Sequence, residues 1–117
     1  MVHKQFLSSY RVRRAGDFRR AYQRRSSVAD RRIVIFGHPN GLPHARLGIS
    51  ASRRLGGAVF RNRWKRLLRE AFRLTRTELP EGIDLIVIPR REVKPTLALL
   101  LDSLPRLAMR VAKKIQS

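Results

Sequence analysis

The sequence predicts an α/β fold, a two-layer sandwich in which a small sheet packs against helices in the order α-β-β-α-β-α. Two segments, 58–79 and 102–116, place apolar residues at helical spacing. Two others, 32–38 and 83–88, are rich in β-branched residues, which favour strands. Turn residues separate the segments, and a length of 117 residues suits a single domain with a single core, spanning 1–117.

The N-terminal half is predicted to contain one short helix and two strands. Residues 1–16 are basic and weakly patterned, so we expect a flexible arm that is extended over 10–14. Asp17 is expected to cap the helix, and the two strands are expected to pair as antiparallel neighbours. The predicted bounds are 18–25 for the helix, 32–38 and 47–51 for the strands, and 39–43 for the turn between them.

The C-terminal half is predicted to contain a long helix, a central strand and a final helix. A basic, glycine-bearing loop leads into the long helix at 58–79, which ends at Pro80. The apolar run 83–88 is typical of a strand that is covered on both faces. We expect a short helical turn at 97–101. The final helix is expected to begin at Asp102 or Ser103, with Pro105 in its first turn, where proline is tolerated.

The charge of the chain points to a polyanionic partner. There are 27 Lys and Arg residues against eight Asp and Glu, a net charge of +19. Such an excess repels itself in a compact protein and favours binding to a polyanion. Over 53–73, Glu70 is the only acid, so the cations of the long helix lack the partners that a solvated helix uses. Phosphate is the expected counter-charge, with an ordinary solvated helix as the alternative.

No catalytic or metal-binding set is visible in the sequence. The chain has no cysteine, and its acids are spread without a pair suited to acid–base or two-metal chemistry. His38 and His44 flank a turn but have no clustered acid or thiol beside them. The longest apolar run, 97–101, is too short to span a bilayer. We therefore expect a cytoplasmic binding protein with no catalytic residue, no metal ligand and no membrane partner.

Two aromatic residues allow two interpretations. Phe18 and Tyr22 share one face of the first helix, and a short apolar face is commonly part of a core. They also lie among arginines, and Phe36 lies in the strand that follows. Aromatic rings interleaved with arginine form stacking platforms for unpaired bases. The residues alone leave core and platform both open.

Four blocks of the sequence resemble the bacterial ribonuclease P protein family. The most specific is RNRWKRLLRE at 61–70, and the resemblance extends in order from about residue 11 to residue 114. It implies a fold like the second domain of ribosomal protein S5, with a left-handed βαβ crossover, against the usual right-handed rule. The other blocks are DFRRAY at 17–22, RLGISASRRLG at 46–56 and DLIVIPR at 84–90.

The resemblance also implies a function. The protein is expected to be the non-catalytic subunit of ribonuclease P, with a catalytic RNA and precursor tRNA as partners and with magnesium held mainly by the RNA. A cleft for the 5′ leader is expected at Phe18, Tyr22, Val34 and Phe36. Contacts to the catalytic RNA are expected from Arg53, Arg54, Arg61, Asn62, Arg63, Lys65, Arg66 and Arg69.

Other binding proteins share part of this pattern. A ribosomal or general RNA-chaperone protein would share the charge and the fold but would not need the aromatic cleft. A DNA-binding protein is disfavoured, because the apolar stripe of the long helix suits packing on a sheet and no helix precedes it at helix-turn-helix spacing.

Overall fold

The computed structural model describes residues 8–116, which form three helices and one four-stranded sheet. The predicted fold class is confirmed. One strand, β1, has no counterpart in the sequence-based prediction. The elements are α1 (Ala15–Arg24), β1 (Ser27–Ala29), β2 (Ile33–Pro39), β3 (Arg46–Ile49), α2 (Ala58–Thr75), β4 (Ile83–Pro89) and α3 (Leu97–Gln116).

The strand order is β1-β2-β4-β3. The prediction that β2 and β3 pair was wrong, because β4 lies between them, antiparallel to β2 and parallel to β3. The first five residues of β4 are all buried, so this strand is covered on both faces, as its apolar run predicted. The unit β3–α2–β4 is a parallel βαβ unit. Its left-handed crossing stays a prediction of the family resemblance.

The main core lies between one face of the sheet and the helices α2 and α3. The predicted apolar stripe of α2 buries Trp64, Leu68 and Phe72 completely, whereas Phe60 and Leu67 are only half-buried. Burying side chains of this size contributes about 1.5 to 3 kcal/mol each. The helix is thereby fixed along the sheet, which determines where its cations point.

Helix α1 begins earlier than predicted, at Ala15, and Asp17 lies in its first turn rather than at the cap. The cap position is Arg14, whose side chain makes no capping hydrogen bond. Arg25 follows the last helical residue; it adopts the left-handed conformation with φ of 59° and donates its backbone N–H to the Tyr22 carbonyl. Strand β1 follows at once, although the serines at its start gave no strand signal in the sequence.

Helix α3 also begins earlier than predicted, so 97–101 is its first turn and Pro105 lies inside it. Thr96 caps it by accepting the Leu99 N–H at 3.2 Å. An interior proline costs a helix about 3 kcal/mol. The helix continues because its apolar stripe is buried on both sides of the proline, at Leu100 and Leu104 before it and at Leu107 after it.

Of the predicted arm, Arg11 and Val12 lie against β3 and Ser8–Tyr10 forms a short 3-10 turn, whereas 1–7 are outside the described residues. Arg11 bridges to Leu47 in parallel, and the Val12 N–H donates to the Leu47 carbonyl at 2.9 Å. Tyr10 packs edge-on against His44 and receives a hydrogen bond from Arg76 at 2.9 Å. The chain is therefore extended at Arg11 and Val12, and it continues the sheet beyond β3.

A polar cluster around Asp30 joins the β1–β2 turn to α3. Its carboxylate accepts the N–H groups of Arg32 and Ile33, the Ser103 hydroxyl at 2.7 Å and the Arg106 guanidinium at 2.8 Å. Burial raises the pKa of Asp30, but these hydrogen bonds outweigh it and lower the pKa from 3.8 to about 2.

We expect this cluster to stabilise the fold above pH 4 and to lose its effect as the pH falls towards 2. The reason is that the folded-state pKa of Asp30 lies below its unfolded value, so acid protonates the unfolded chain first. Urea unfolding of the wild type and of Asp30→Asn between pH 5 and pH 2 measures this. The two free energies of unfolding should differ by roughly 2 kcal/mol at pH 5 and converge at pH 2; parallel curves contradict the assignment.

Candidate nucleic-acid interface

The second face of the sheet presents its side chains in three rows that run across β2, β4 and β3. Helix α1 lies over the first two rows and leaves the third uncovered. The strand register aligns the first row as His38, Asp84 and Arg46, the second as Phe36, Ile86 and Gly48, and the third as Val34 and Ile88, with Ser50 following β3 beside them.

Aromatic side chains of α1 lie over the second row. A Cβ atom added to Gly48 would come within 3.0 Å of the Phe18 ring and 2.7 Å of Ile86, so only glycine permits this close contact. Tyr22 meets Phe36 edge-on with 5.1 Å between ring centroids. All three rings are half-buried. Each ring therefore packs on the fold and also keeps an accessible surface.

The uncovered third row forms the floor of a depression of about 440 Å³. Val34 and Ile88 supply its apolar floor, and Arg31, Arg90 and Arg91 lie around it. A smaller depression beside it is lined by Ser50, Arg54 and again Ile88. Of the four predicted cleft residues, the structure thus brings together Phe18, Tyr22 and Phe36. It places Val34 in the adjoining depression.

Two cations of α2 lie close to Phe18 of α1. Lys65 and Arg69 line a cavity of about 130 Å³ together with Phe18 and Arg11, over a floor that includes Ile49. Burial lowers the pKa of the Arg69 guanidinium from its usual value, and the positive charge of Arg11 lowers it further. Cations held this close favour an anion between them.

The other predicted cations of α2 do not share this side. Arg63 lies on the opposite flank of the helix, where it lines a depression with Phe60, Lys94 and Pro95. Arg61 is half-buried, and its Nε atom is buried without a hydrogen-bond partner among the described residues. Of the remaining predicted contact residues, Asn62 and Arg66 are exposed on α2, and Arg53 and Arg54 are exposed in the short turn before it. The predicted cations therefore lie on both flanks of α2 and in the turn before it.

Polar side chains fill the first row beneath α1, and two of the three are charged. Asp84 is 1% exposed and forms a two-pronged ion pair with Arg46, at 2.7 Å from Nε and 2.6 Å from Nη2. The hydrogen bond to Asp84 raises the pKa of Arg46. Burial lowers the pKa of His38, and the nearby Arg24 charge lowers it further, so this imidazole is neutral at pH 7.

Sequence reasoning missed the cations that the strand order brings to the depressions. Arg31, Arg90 and Arg91 lie beside the third row, and Arg11 lies in the cavity next to Phe18. The Arg-Arg pair directly after the central strand was an available signal. To place this pair beside the third row, one must know that Val34 and Ile88 are cross-strand neighbours.

Neither a metal-binding group nor a membrane-spanning helix is found among residues 8–116. Within this range, no three His, Asp or Glu side chains gather into a group suited to a metal ion. None of the helices that these residues form has the length and apolar character needed to cross a bilayer.

Comparison with known proteins places these features in a family. The family model for ribonuclease P matches residues 6–112. A ribonuclease P protein component from Staphylococcus carnosus is 42% identical over 107 residues, which are 90% of this chain and 91% of that protein.

Solved structures agree with the sequence comparison. The ribonuclease P protein of Staphylococcus aureus superposes with a TM-score of 0.75 at 39% identity, over 89% of this chain and 95% of that one. That of Thermotoga maritima gives 0.78 at 31% identity, over 86% and 96%. Matches of this extent confirm the resemblance carried by the four sequence blocks: the chain belongs to the ribonuclease P protein family.

Proposed function

We propose that this chain is the RNA-binding, non-catalytic subunit of ribonuclease P, and that it assists a catalytic RNA in removing 5′ leaders from precursor tRNA. The observation that carries the proposal is the shared cavity in which Phe18 of α1 meets Lys65 and Arg69 of α2. It joins a surface suited to unpaired bases to a surface suited to RNA phosphates.

The two surfaces have separate roles in this proposal. The exposed cations of α2 and its approach loop, among them Arg53, Arg54 and Arg66, bind the catalytic RNA. The Phe18, Tyr22 and Phe36 rings and the uncovered third row bind the single-stranded leader. Arginine around that row supplies phosphate contacts, and the half-buried rings supply stacking.

The chemistry belongs to the RNA in this proposal. The protein contributes binding and orientation, whereas magnesium, when bound mainly by the RNA, would supply Lewis-acid chemistry for phosphodiester hydrolysis. The subunit acts in the cytoplasm with RNA partners and does not act on DNA. The short turn before α2, Arg53–Leu55, is not the helix that a helix-turn-helix motif requires.

Reconstitution tests the whole proposal. The purified chain, mixed with ribonuclease P RNA and precursor tRNA at low magnesium, should stimulate release of the 5′ leader. The chain without RNA should release none. A general RNA chaperone would leave maturation at low magnesium unchanged, and cleavage by homogeneous, RNA-free protein would assign the chemistry to the protein.

We expect the α2 cations to set the salt dependence of binding to the catalytic RNA. Arg66→Ala with Arg69→Ala should weaken binding and lower the slope of log affinity against log salt by about 0.7 to 0.9 for each phosphate that is no longer neutralised. The matched control is Arg110→Ala with Lys113→Ala, which removes two exposed cations of α3. Equal slopes for the α2 double variant and the wild type would mean that this surface is merely solvated.

A further inference from the structure

Helix α1 is attached to the sheet by a small apolar cluster and by polar contacts. Ala21 is its one fully buried residue. The apolar cluster between α1 and the sheet has Val12, Ala21 and Ile86 as its buried part, and the half-buried Phe18, Tyr22 and Phe36 pack against it. A ten-residue helix is marginal by itself and depends on tertiary contacts. Polar contacts therefore add to this apolar packing in placing α1.

A chain of polar contacts links α1 to the centre of the sheet. Asp17 pairs with Arg20 within the helix, and its second oxygen lies 3.6 Å from Arg46. Both Nε and Nη2 of Arg46 donate to the carboxylate of the buried Asp84. Asn40 donates to the same carboxylate at 2.9 Å. The Arg46 guanidinium thereby connects α1 and β3 to Asp84 of β4, and the Asp84 carboxylate extends the connection to Asn40.

This chain of polar contacts ends next to the aromatic residue Phe18 of α1. Asp17 directly precedes Phe18, whose ring lies close above Gly48 and lines the cavity with Lys65. The ring cannot move closer to the sheet, because a single carbon atom added to Gly48 would already lie 3.0 Å from it. A displacement of the first turn of α1 would therefore shift the Phe18 ring and change the cavity that it lines.

We infer that Arg46 is a positioning residue: acting through Asp17, it fixes where the Phe18 and Tyr22 rings lie beside the uncovered row. The inference rests on the proposed leader cleft and adds a residue that governs it without contact to RNA. The Arg46 side chain is 21% exposed, and its guanidinium is engaged by Asp84 and Asp17. Its contribution is to the geometry of the site.

Asp17→Asn is the cleanest variant, because it removes the charge that α1 offers to Arg46 and leaves the Arg46–Asp84 pair intact. In the reconstituted holoenzyme, the ratio of precursor to mature tRNA affinity should fall about three- to tenfold. Binding to the catalytic RNA should stay unchanged. Asp102→Asn makes the same chemical change on the exposed side of α3 and should leave the ratio unchanged.

The position of α1 can be measured directly. The chain has no cysteine, so Gln23→Cys and Thr77→Cys, both at exposed positions, accept a pair of spin labels. Adding Asp17→Asn should broaden the distance distribution between the labels while the melting temperature changes little. A purely structural role for Asp17 would lower the melting temperature and keep one narrow distance.

A double-variant cycle tests the route of the effect. Arg46→Lys keeps a positive charge beside Asp84 but loses the two-pronged geometry. It should lower the affinity ratio, and combining it with Asp17→Asn should lower the ratio no further than the worse single change. Independent, additive losses would overturn the inference, as would an unchanged ratio for Asp17→Asn.

Different experimental results would reject the proposed cleft and the positioning role of Arg46. If Tyr22→Ala lowers the affinity ratio and Asp17→Asn does not, the cleft stands and the positioning role is wrong. If Tyr22→Ala leaves the ratio unchanged, the leader cleft itself is wrong. The label distances then decide the role of Arg46, and an unbroadened distribution rejects it.

Discussion

Arg46→Ala should lower the free energy of unfolding by about 3 to 5 kcal/mol, because it leaves the Asp84 carboxylate buried without its counter-charge. Asp84 is 1% exposed, and among the described residues Asn40 is the other side chain that donates to it. Natural domains are stable by about 5 to 15 kcal/mol, so the loss is a large share of the total. Urea unfolding at pH 7 measures it.

The matched control also removes the unpaired charge of the Asp84 carboxylate. Arg46→Ala combined with Asp84→Asn should recover part of the lost stability, since a neutral amide costs less to bury than an unpaired carboxylate. A loss below about 1 kcal/mol for Arg46→Ala would contradict the prediction, because only exposed ion pairs are that weak.

Tyr22→Ala should weaken binding of precursor tRNA to the holoenzyme by about 5- to 150-fold and should affect mature tRNA far less. Stacking on one aromatic ring is worth about 1 to 3 kcal/mol per base, and mature tRNA has no leader to stack. Assembly with the catalytic RNA should be unchanged, because those contacts are proposed for α2. Equilibrium binding of both tRNAs to each variant holoenzyme provides the measurement.

Two controls separate stacking from folding. Tyr22 also packs edge-on against Phe36, so thermal unfolding of Tyr22→Ala must be compared with the wild type. Tyr22→Phe keeps the ring and should retain precursor affinity. Equal weakening of precursor and mature tRNA, or a severe drop in melting temperature, would assign Tyr22 to the core.

The sequence predicted the elements whose burial follows from a long local pattern. The stripe of Trp64, Leu68 and Phe72 indicated α2, and the apolar run of β4 indicated a central strand. The prediction failed where strand pairing depends on residues that are distant in the sequence. Strands β2 and β3 are joined by a short turn, yet each pairs with β4, because β4 is the strand with two apolar faces to cover.

The candidate site was predicted in the same uneven way. Phe18, Tyr22 and Phe36 meet as expected, because helical spacing put the first two on one face and β2 carries the third. Arg31 and Arg91 were missed, since their place beside Val34 depends on the strand register. The RNA contacts of all these residues stay predictions.

The central place of β4 has a consequence for synthesis of the protein on the ribosome. Strands β2 and β3 are complete once residue 49 has been added, yet the strand that joins them ends at Pro89. Throughout the intervening interval of translation, the nascent chain carries strand edges that have no partner and are open to wrong pairing. The sheet closes only after β4 has left the exit tunnel, because β4 lies between β2 and β3.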